Sequence, residues 1–231
     1  MTRIKLCGLT RKEDILTANE LMPDHIGFVL WEKSRRYVRF EKAKELKELL
    51  DPGISAVGVF VDEDIERVAE YLIEGIIDAA QLHGSEDDDY IRRLQHETGK
   101  PVIKAFRISA PEDSRAFFSC PAELLLLDSG AGGGTLLDRK LLAGIERPYF
   151  LAGGLSADNV EEAMAELHPY GVDVSSGIET DGAKDHDKMR RFVECVRRFE
   201  RSERNGRQEG AVRRTRRTVY TGDFDERRDR A

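Results

Sequence analysis

No stretch of this chain approaches the roughly 18 consecutive apolar residues that a membrane-crossing helix needs. Cysteine is scarce as well. The three present, Cys7, Cys120 and Cys195, are odd in number, widely spaced and without a Cys-x-x-Cys pair. That pattern excludes a disulfide framework and a zinc ribbon, and it fits reduced thiols in a cytoplasmic protein. His25, His83, His96, His168 and His186 fall without ligand spacing, so no metal site is expected. An overall basic excess is also missing. The formal net charge is −7, and from Arg201 onward 10 arginines outnumber 6 acids, a local +4 that leaves −11 for the first 200 residues. A body that acidic argues against general nucleic-acid binding. The N-terminus runs from Arg3 and Lys5 to Arg11-Lys12-Glu13-Asp14, so no secretory signal is expected there. No Gly-x-Gly-x-x-Gly follows the first apolar run, which counts against an open dinucleotide-binding sheet.

What the chain does have is a repeated plan. Short apolar runs begin near residues 3, 25, 54, 76, 101, 123, 148 and 171, about 24 residues apart, close to the length of a minimal strand–helix unit. Between them lie amphipathic helical patterns at Arg11–Leu21, Glu41–Leu50, Asp64–Ile73, Ser85–Thr98, Pro111–Phe118, Asp138–Ala143 and Ser156–Leu167, with a last one at Asp187–Glu200. Near-continuous apolar strands alternating with helices imply a parallel sheet. Eight such units predict a single (β/α)8 TIM barrel over residues 1–200. From 201 to 231 the pattern stops: arginine pairs recur, aliphatic residues almost vanish, and a disordered arginine-rich tail is expected.

Active sites of this architecture sit where strands end and helices begin. That rule selects Cys7, Arg36, Asp62, Gln81, His83, Arg107 and Asp128, followed by two glycine- and serine-rich loops. Tyr149-Phe-Leu-Ala-Gly153-Gly154 and Val172-Asp-Val-Ser-Ser176-Gly177 each end an apolar run in small residues before a helical start. Two such loops on consecutive units aim backbone N–H groups at one place, as a phosphate site requires. Along Arg3-Ile-Lys-Leu-Cys7, alternation puts Arg3, Lys5 and Cys7 on one face, so Lys5 is expected to favour the Cys7 thiolate and Asp173 to neutralise Lys5. Four leucines lead into Asp128. In an eight-strand ring, strands one and six are three places apart, so Cys7 and Asp128 should face each other across the mouth. A thiol and a carboxyl so placed suit proton shuttling on a sugar phosphate.

The residues Lys5-Leu-Cys-Gly-Leu-Thr, Gly27-Phe-Val, Ser34-Arg-Arg-Tyr, Val57-Gly-Val-Phe-Val, Gln81-Leu-His-Gly, Leu127-Asp-Ser, Leu151-Ala-Gly-Gly-Leu and Asp173-Val-Ser-Ser-Gly-Ile-Glu together resemble the phosphoribosylanthranilate isomerase family. The resemblance spans about Ile4 to Phe199. It implies an Amadori rearrangement of N-(5-phosphoribosyl)anthranilate to its 1-deoxyribulose 5-phosphate derivative, with no cofactor. By the same resemblance Cys7 is the general base, Asp128 the general acid and Arg36 the clamp on the anthranilate carboxylate. Gly153, Gly154, Ser176 and Gly177 hold the phosphate, and Gln81 and His83 belong to the substrate site. One departure stands out: Gly133-Gly-Thr runs directly into Leu136-Leu-Asp-Arg, about two residues short of the family's pattern and without its last glycine or its Trp. That difference bears on closure over the substrate. The expected partner is a small phosphorylated molecule, on a monomer or homodimer that engages neither nucleic acid nor membrane. Two alternatives remain at this point: a related histidine-pathway aminoaldose–ketose isomerase, against which the cysteine at position 7 speaks, and a non-catalytic barrel that binds a phosphoribosyl ligand.

Overall fold

A computed structural model describes residues 1–108, 117, 119–129, 142, 145 and 147–219, with helix backbone alone from 206 to 219. Eight strands close into one parallel barrel: β1 (Arg3–Cys7), β2 (His25–Val29), β3 (Ser55–Phe60), β4 (Ala79–Leu82), β5 (Val102–Arg107), β6 (Leu124–Asp128), β7 (Tyr149–Ala152) and β8 (Gly171–Val174). The ring shuts through β1 and β8, whose register pairs Lys5 with Asp173. Seven of the eight strands begin within one residue of the positions read from the sequence. The fourth begins at Ala79 rather than near 76, because the amides of Ile76 and Ile77 bond the Tyr71 carbonyl and finish the preceding helix instead.

Alternation within each strand sorts side chains to two apolar layers. Val57, Ala79, Ile103, Ala105, Leu126, Phe150 and Ala152 pack together inside the barrel. Their neighbours Ile4, Leu6, Ile26, Phe28, Leu125, Leu127, Val172 and Val174 are equally buried. Because both faces are covered, the strands read as continuous apolar runs, of which the four leucines of β6 are the extreme case. The same alternation sends the last inward residue of each strand to the mouth: Cys7 on β1, Gln81 on β4 and Asp128 on β6.

The helices are α1 (Lys12–Leu21), α2 (Phe40–Glu48), α3 (Ile65–Ile73), α4 (Asp88–Thr98), α5 (Val160–Leu167) and α6 (His186–Val219). The carboxylate of Asp87 caps α4 by accepting from the Tyr90 amide at 2.9 Å. Helix α5 starts four residues later than Ser156: the Asn159 side chain accepts from the Ser156 amide, so Ser156 opens a turn and Asn159 stands at the cap position. The helical patterns expected at Pro111–Phe118 and Asp138–Ala143 lie largely outside the described residues, as does the shortened loop at 133–138. Residues 1–196 form one compact unit and 197–231 a second. Helix α6 continues past Glu200, where the sequence reading ends it, to Val219, and residues 220–231 lie outside the described residues. No helix among the described residues is long and apolar enough to cross a membrane.

Candidate active site

The strand ends surround a cavity of about 400 Å³, lined among others by Cys7, Arg36, Gln81, His83, Asp128, Gly153, Gly154 and Ser176. Of the residues that the family resemblance assigns to the site, all but Gly177 therefore border one space. Gly177 follows Ser176 and is not part of the lining. A Cβ there would collide with the Leu155 carbonyl oxygen, so the loops after β7 and β8 pack backbone to backbone only because it is glycine. Gly153 and Gly154 take φ of 91° and 63°, which lets the first loop turn beneath the mouth. Among the described residues, the amides of Gly153, Gly154 and Ser176 donate to no backbone carbonyl in the turns that build these loops. Three such donors around one hollow fit an anion. Asp62 and Arg107, selected by the same rule, do not line the cavity. Asp62 instead accepts from the Ser85 amide and hydroxyl, tying the loop after β3 to the loop after β4.

Cys7 is buried, and a Cβ on Gly27 would stand 2.7 Å from its sulfur, so the neighbouring strand makes room for the thiol by carrying glycine. Lys5, directly beneath on the same face, is fully buried and donates to Asp173 at 2.8 Å, as the sequence predicts. The net effect on the thiol differs from the expectation. Burial pushes the Cys7 thiol up further than Lys5 and Lys184 pull it down. The lysine's influence was visible in the strand alternation, but the depth of a thiol at a strand's end was not.

Asp128 faces His83 across 3.9 Å, from Oδ2 to Nε2, which is an approach and not a hydrogen bond. Burial lowers the His83 pKa, so the imidazole is neutral at neutral pH. Gln81 Nε2 lies 3.1 Å from His83 Nδ1. With the amide donating there, the imidazole proton stands on Nε2, the nitrogen turned to Asp128. Gln81 Oε1 is left buried with no hydrogen-bond partner among the described residues, an acceptor on the wall of the cavity. A Cβ on Gly153 would stand 2.6 Å from Asp128 Oδ1, so the loop after β7 and this carboxylate are in contact.

Arg36 lies between β2 and α2, and its guanidinium is already engaged. Its Nε and Nη2 donate to the two oxygens of Glu179 at 2.6 and 2.9 Å. Glu179 opens a small antiparallel pair, β9 (Glu179–Thr180) with β10 (Ala183–Lys184), in the loop after β8. Lys184 is almost wholly buried and donates to Glu179 Oε1 at 2.7 Å and to the Ser175 carbonyl at 2.9 Å. These cations draw the Glu179 carboxyl down to about 2 against the cost of its burial.

A model of the N-(5'-phosphoribosyl)anthranilate isomerase family matches residues 4–195. The N-(5'-phosphoribosyl)anthranilate isomerase of Endomicrobium trichonymphae is 41% identical over 202 residues, covering 85% of this chain and 99% of that one. The chain belongs to the phosphoribosylanthranilate isomerase family. Among solved structures, a phosphoribosylanthranilate isomerase in complex with reduced 1-(o-carboxyphenylamino)-1-deoxyribulose 5-phosphate superposes with a TM-score of 0.77 at 34% identity, covering 85% of this chain and 99% of that one. Monomers generated from the dimeric Thermotoga maritima phosphoribosylanthranilate isomerase match with a TM-score of 0.77, also at 34% identity and the same coverage. This chain's reaction is the family's isomerisation of phosphoribosylanthranilate, an aldose–ketose interconversion in tryptophan biosynthesis. Two residues at this isomerase's mouth escaped the sequence reading, Glu179 and Lys184. Glu179 ends the last motif quoted above, and a further charged pair, Lys184-Asp185, follows five residues on. Charges so close to a phosphate loop were the available signal. Their burial depends on the β9–β10 hairpin, which no apolar periodicity announces.

Proposed function

We propose that Cys7 and Asp128 are the base and the acid of the rearrangement. Asp128 delivers a proton to the ribose ring oxygen as the C1–O bond breaks and the anilino nitrogen's lone pair forms a Schiff base. Cys7, as thiolate, takes the C2 proton, and the C2–H electron pair flows into the C1–C2 bond to give an enolamine. That species becomes the ketone by gaining a proton at C1 and losing one from the C2 hydroxyl. The observation that carries this reading is the cavity itself: it holds a thiol on β1 and a carboxyl on β6, with both phosphate loops on its border. Gly153, Gly154, Ser176 and Gly177 receive the phosphate, Arg36 the anthranilate carboxylate, and Gln81 and His83 complete the substrate site without a cofactor. A thiol that rests above its ordinary range gives its proton to solvent before the C2 step, the positive charge of the Schiff base formed beside it favouring the thiolate. The protein works in the cytoplasm as a monomer or homodimer.

Purified protein added to phosphoribosylanthranilate should abolish anthranilate-type fluorescence at a measurable rate. Cys7→Ser and Asp128→Asn should each lower kcat by roughly 10²–10⁴, the usual worth of a positioned acid or base. Both should leave the affinity for inorganic phosphate unchanged. Cys7→Ser with most of its turnover intact would remove the thiol from the mechanism.

A further inference from the structure

The carboxylate of Glu179 is saturated. Oε1 accepts from Arg36 Nε at 2.6 Å and Lys184 Nζ at 2.7 Å, while Oε2 accepts from Arg36 Nη2 at 2.9 Å and Arg35 Nη2 at 2.7 Å. A carboxylate offers about four lone-pair sites, and all four are taken. Three cations therefore meet one anion, and the group carries surplus positive charge. The surplus is directed, because a guanidinium is a planar fork with two edges that can each grip a carboxylate. Glu179 holds the side edge of Arg36, formed by Nε and Nη2. The terminal edge, formed by Nη1 and the second hydrogen of Nη2, makes no hydrogen bond within the protein among the described residues, and Arg36 lines the cavity.

The second arm of the arrangement runs to the phosphate loop. Lys184 Nζ, which binds Glu179, also binds the carbonyl of Ser175 at 2.9 Å and approaches its hydroxyl at 3.4 Å. Ser175 immediately precedes Ser176-Gly177. One buried carboxylate is thus linked on one side to the arginine and on the other, through a single lysine, to the loop that faces the phosphate.

The geometry points to Glu179 as a positioning residue that sets the plane of Arg36 and, through Lys184, its distance from the phosphate loop, so that the site recognises a phosphorylated ligand by a carboxylate at fixed reach. This rests on the reading of Arg36 as the carboxylate clamp. Glu179 itself touches no substrate; its part is to leave one bidentate edge of Arg36 presented and immobile. Loss of its charge lets the guanidinium rotate, and a rotating fork meets a planar carboxylate with one hydrogen bond instead of two.

The test uses two reduced, unreactive product analogues, 1-(2-carboxyphenylamino)-1-deoxyribitol 5-phosphate and its phenylamino counterpart without the carboxyl. Their Kd values are measured by calorimetry on wild type, Arg36→Met and Glu179→Gln. Wild type should prefer the carboxylated analogue, and Arg36→Met should lose most of that preference. Glu179→Gln should weaken the carboxylated analogue at least fivefold and the phenylamino analogue less than twofold. Retained binding of the phenylamino analogue also certifies the fold of each variant. Should Glu179→Gln bind neither analogue, Glu179→Asp takes its place, since it keeps the charge, shifts it by one methylene and is expected to show the same selective loss. Equal losses for both analogues, or none, in a folded Glu179 variant would overturn the proposal while leaving Arg36 as the clamp. A preference unaffected by Arg36→Met would instead overturn the reading of Arg36.

Discussion

The two walls of the mouth differ in charge, although the same strand–helix repeat builds both. On the side of β8, β1 and β2, the Lys5–Asp173 pair lies under Cys7, and Arg36, Glu179 and Lys184 crowd beside it. On the side of β4 and β6, Asp128 faces an imidazole that burial keeps neutral, itself held by an uncharged amide. A thiolate gains from nearby cations, whereas a carboxyl that must release a proton gains from a neighbour that stays neutral. On the roles proposed for Cys7 and Asp128, the barrel holds base and acid against walls of different charge.

The largest effect is expected where the charged wall is deepest. Lys5→Met leaves Asp173 buried without its cation and should destabilise the barrel by roughly 3–5 kcal/mol in denaturant titration. The double variant Lys5→Met, Asp173→Asn should recover much of that loss, and if it recovers nothing the two charges are not coupled. A smaller effect is expected from His25, which sits beside Lys5 in the strand register and is held near a pKa of about 4 by burial and by that lysine. Below the ordinary value of 6.5 the unfolded chain binds a proton that the folded barrel refuses. Stability should therefore fall as pH drops from 6.5, with the loss complete near 4 at about 3 kcal/mol. His25→Asn should flatten that slope; an unchanged slope would move the acid sensitivity elsewhere. The smallest effect belongs to the neutral wall. His83→Gln should lower kcat by about tenfold at most, since a neutral imidazole at 3.9 Å assists Asp128 without transferring its proton. A loss as deep as that of Asp128→Asn would make His83 the donor.

How much of this was legible in the sequence follows the same division. The eight strands could be read because burial on both faces leaves unbroken apolar runs; the strand ends then placed Cys7 and Asp128 at the mouth, and alternation placed Lys5 beneath Cys7. The Lys5–Asp173 pair followed from the facing of neighbouring strands. The neutral wall was partly legible: Gln81 and His83 were placed by their strand end, but not the hydrogen bond that turns Nε2 toward Asp128, which depends on side-chain rotamers. The Glu179–Lys184 brace was not legible, because a two-residue hairpin has no periodicity. The sign of the Cys7 shift was missed for a related reason, since alternation tells which face a thiol takes and says nothing of how much protein lies over it.

The most direct test of the account is the ionisation of Cys7 in the ligand-free protein, followed as the rate of its alkylation by iodoacetamide against pH, with Cys120 and Cys195 replaced by alanine. Cys7 lies on the charged wall, yet burial outweighs its two lysines, so half-maximal reactivity is predicted at a higher pH than that of a free cysteine thiol. A half-maximum at or below that of a free thiol would show that the cations dominate burial and would contradict the protonated resting thiol on which the account rests.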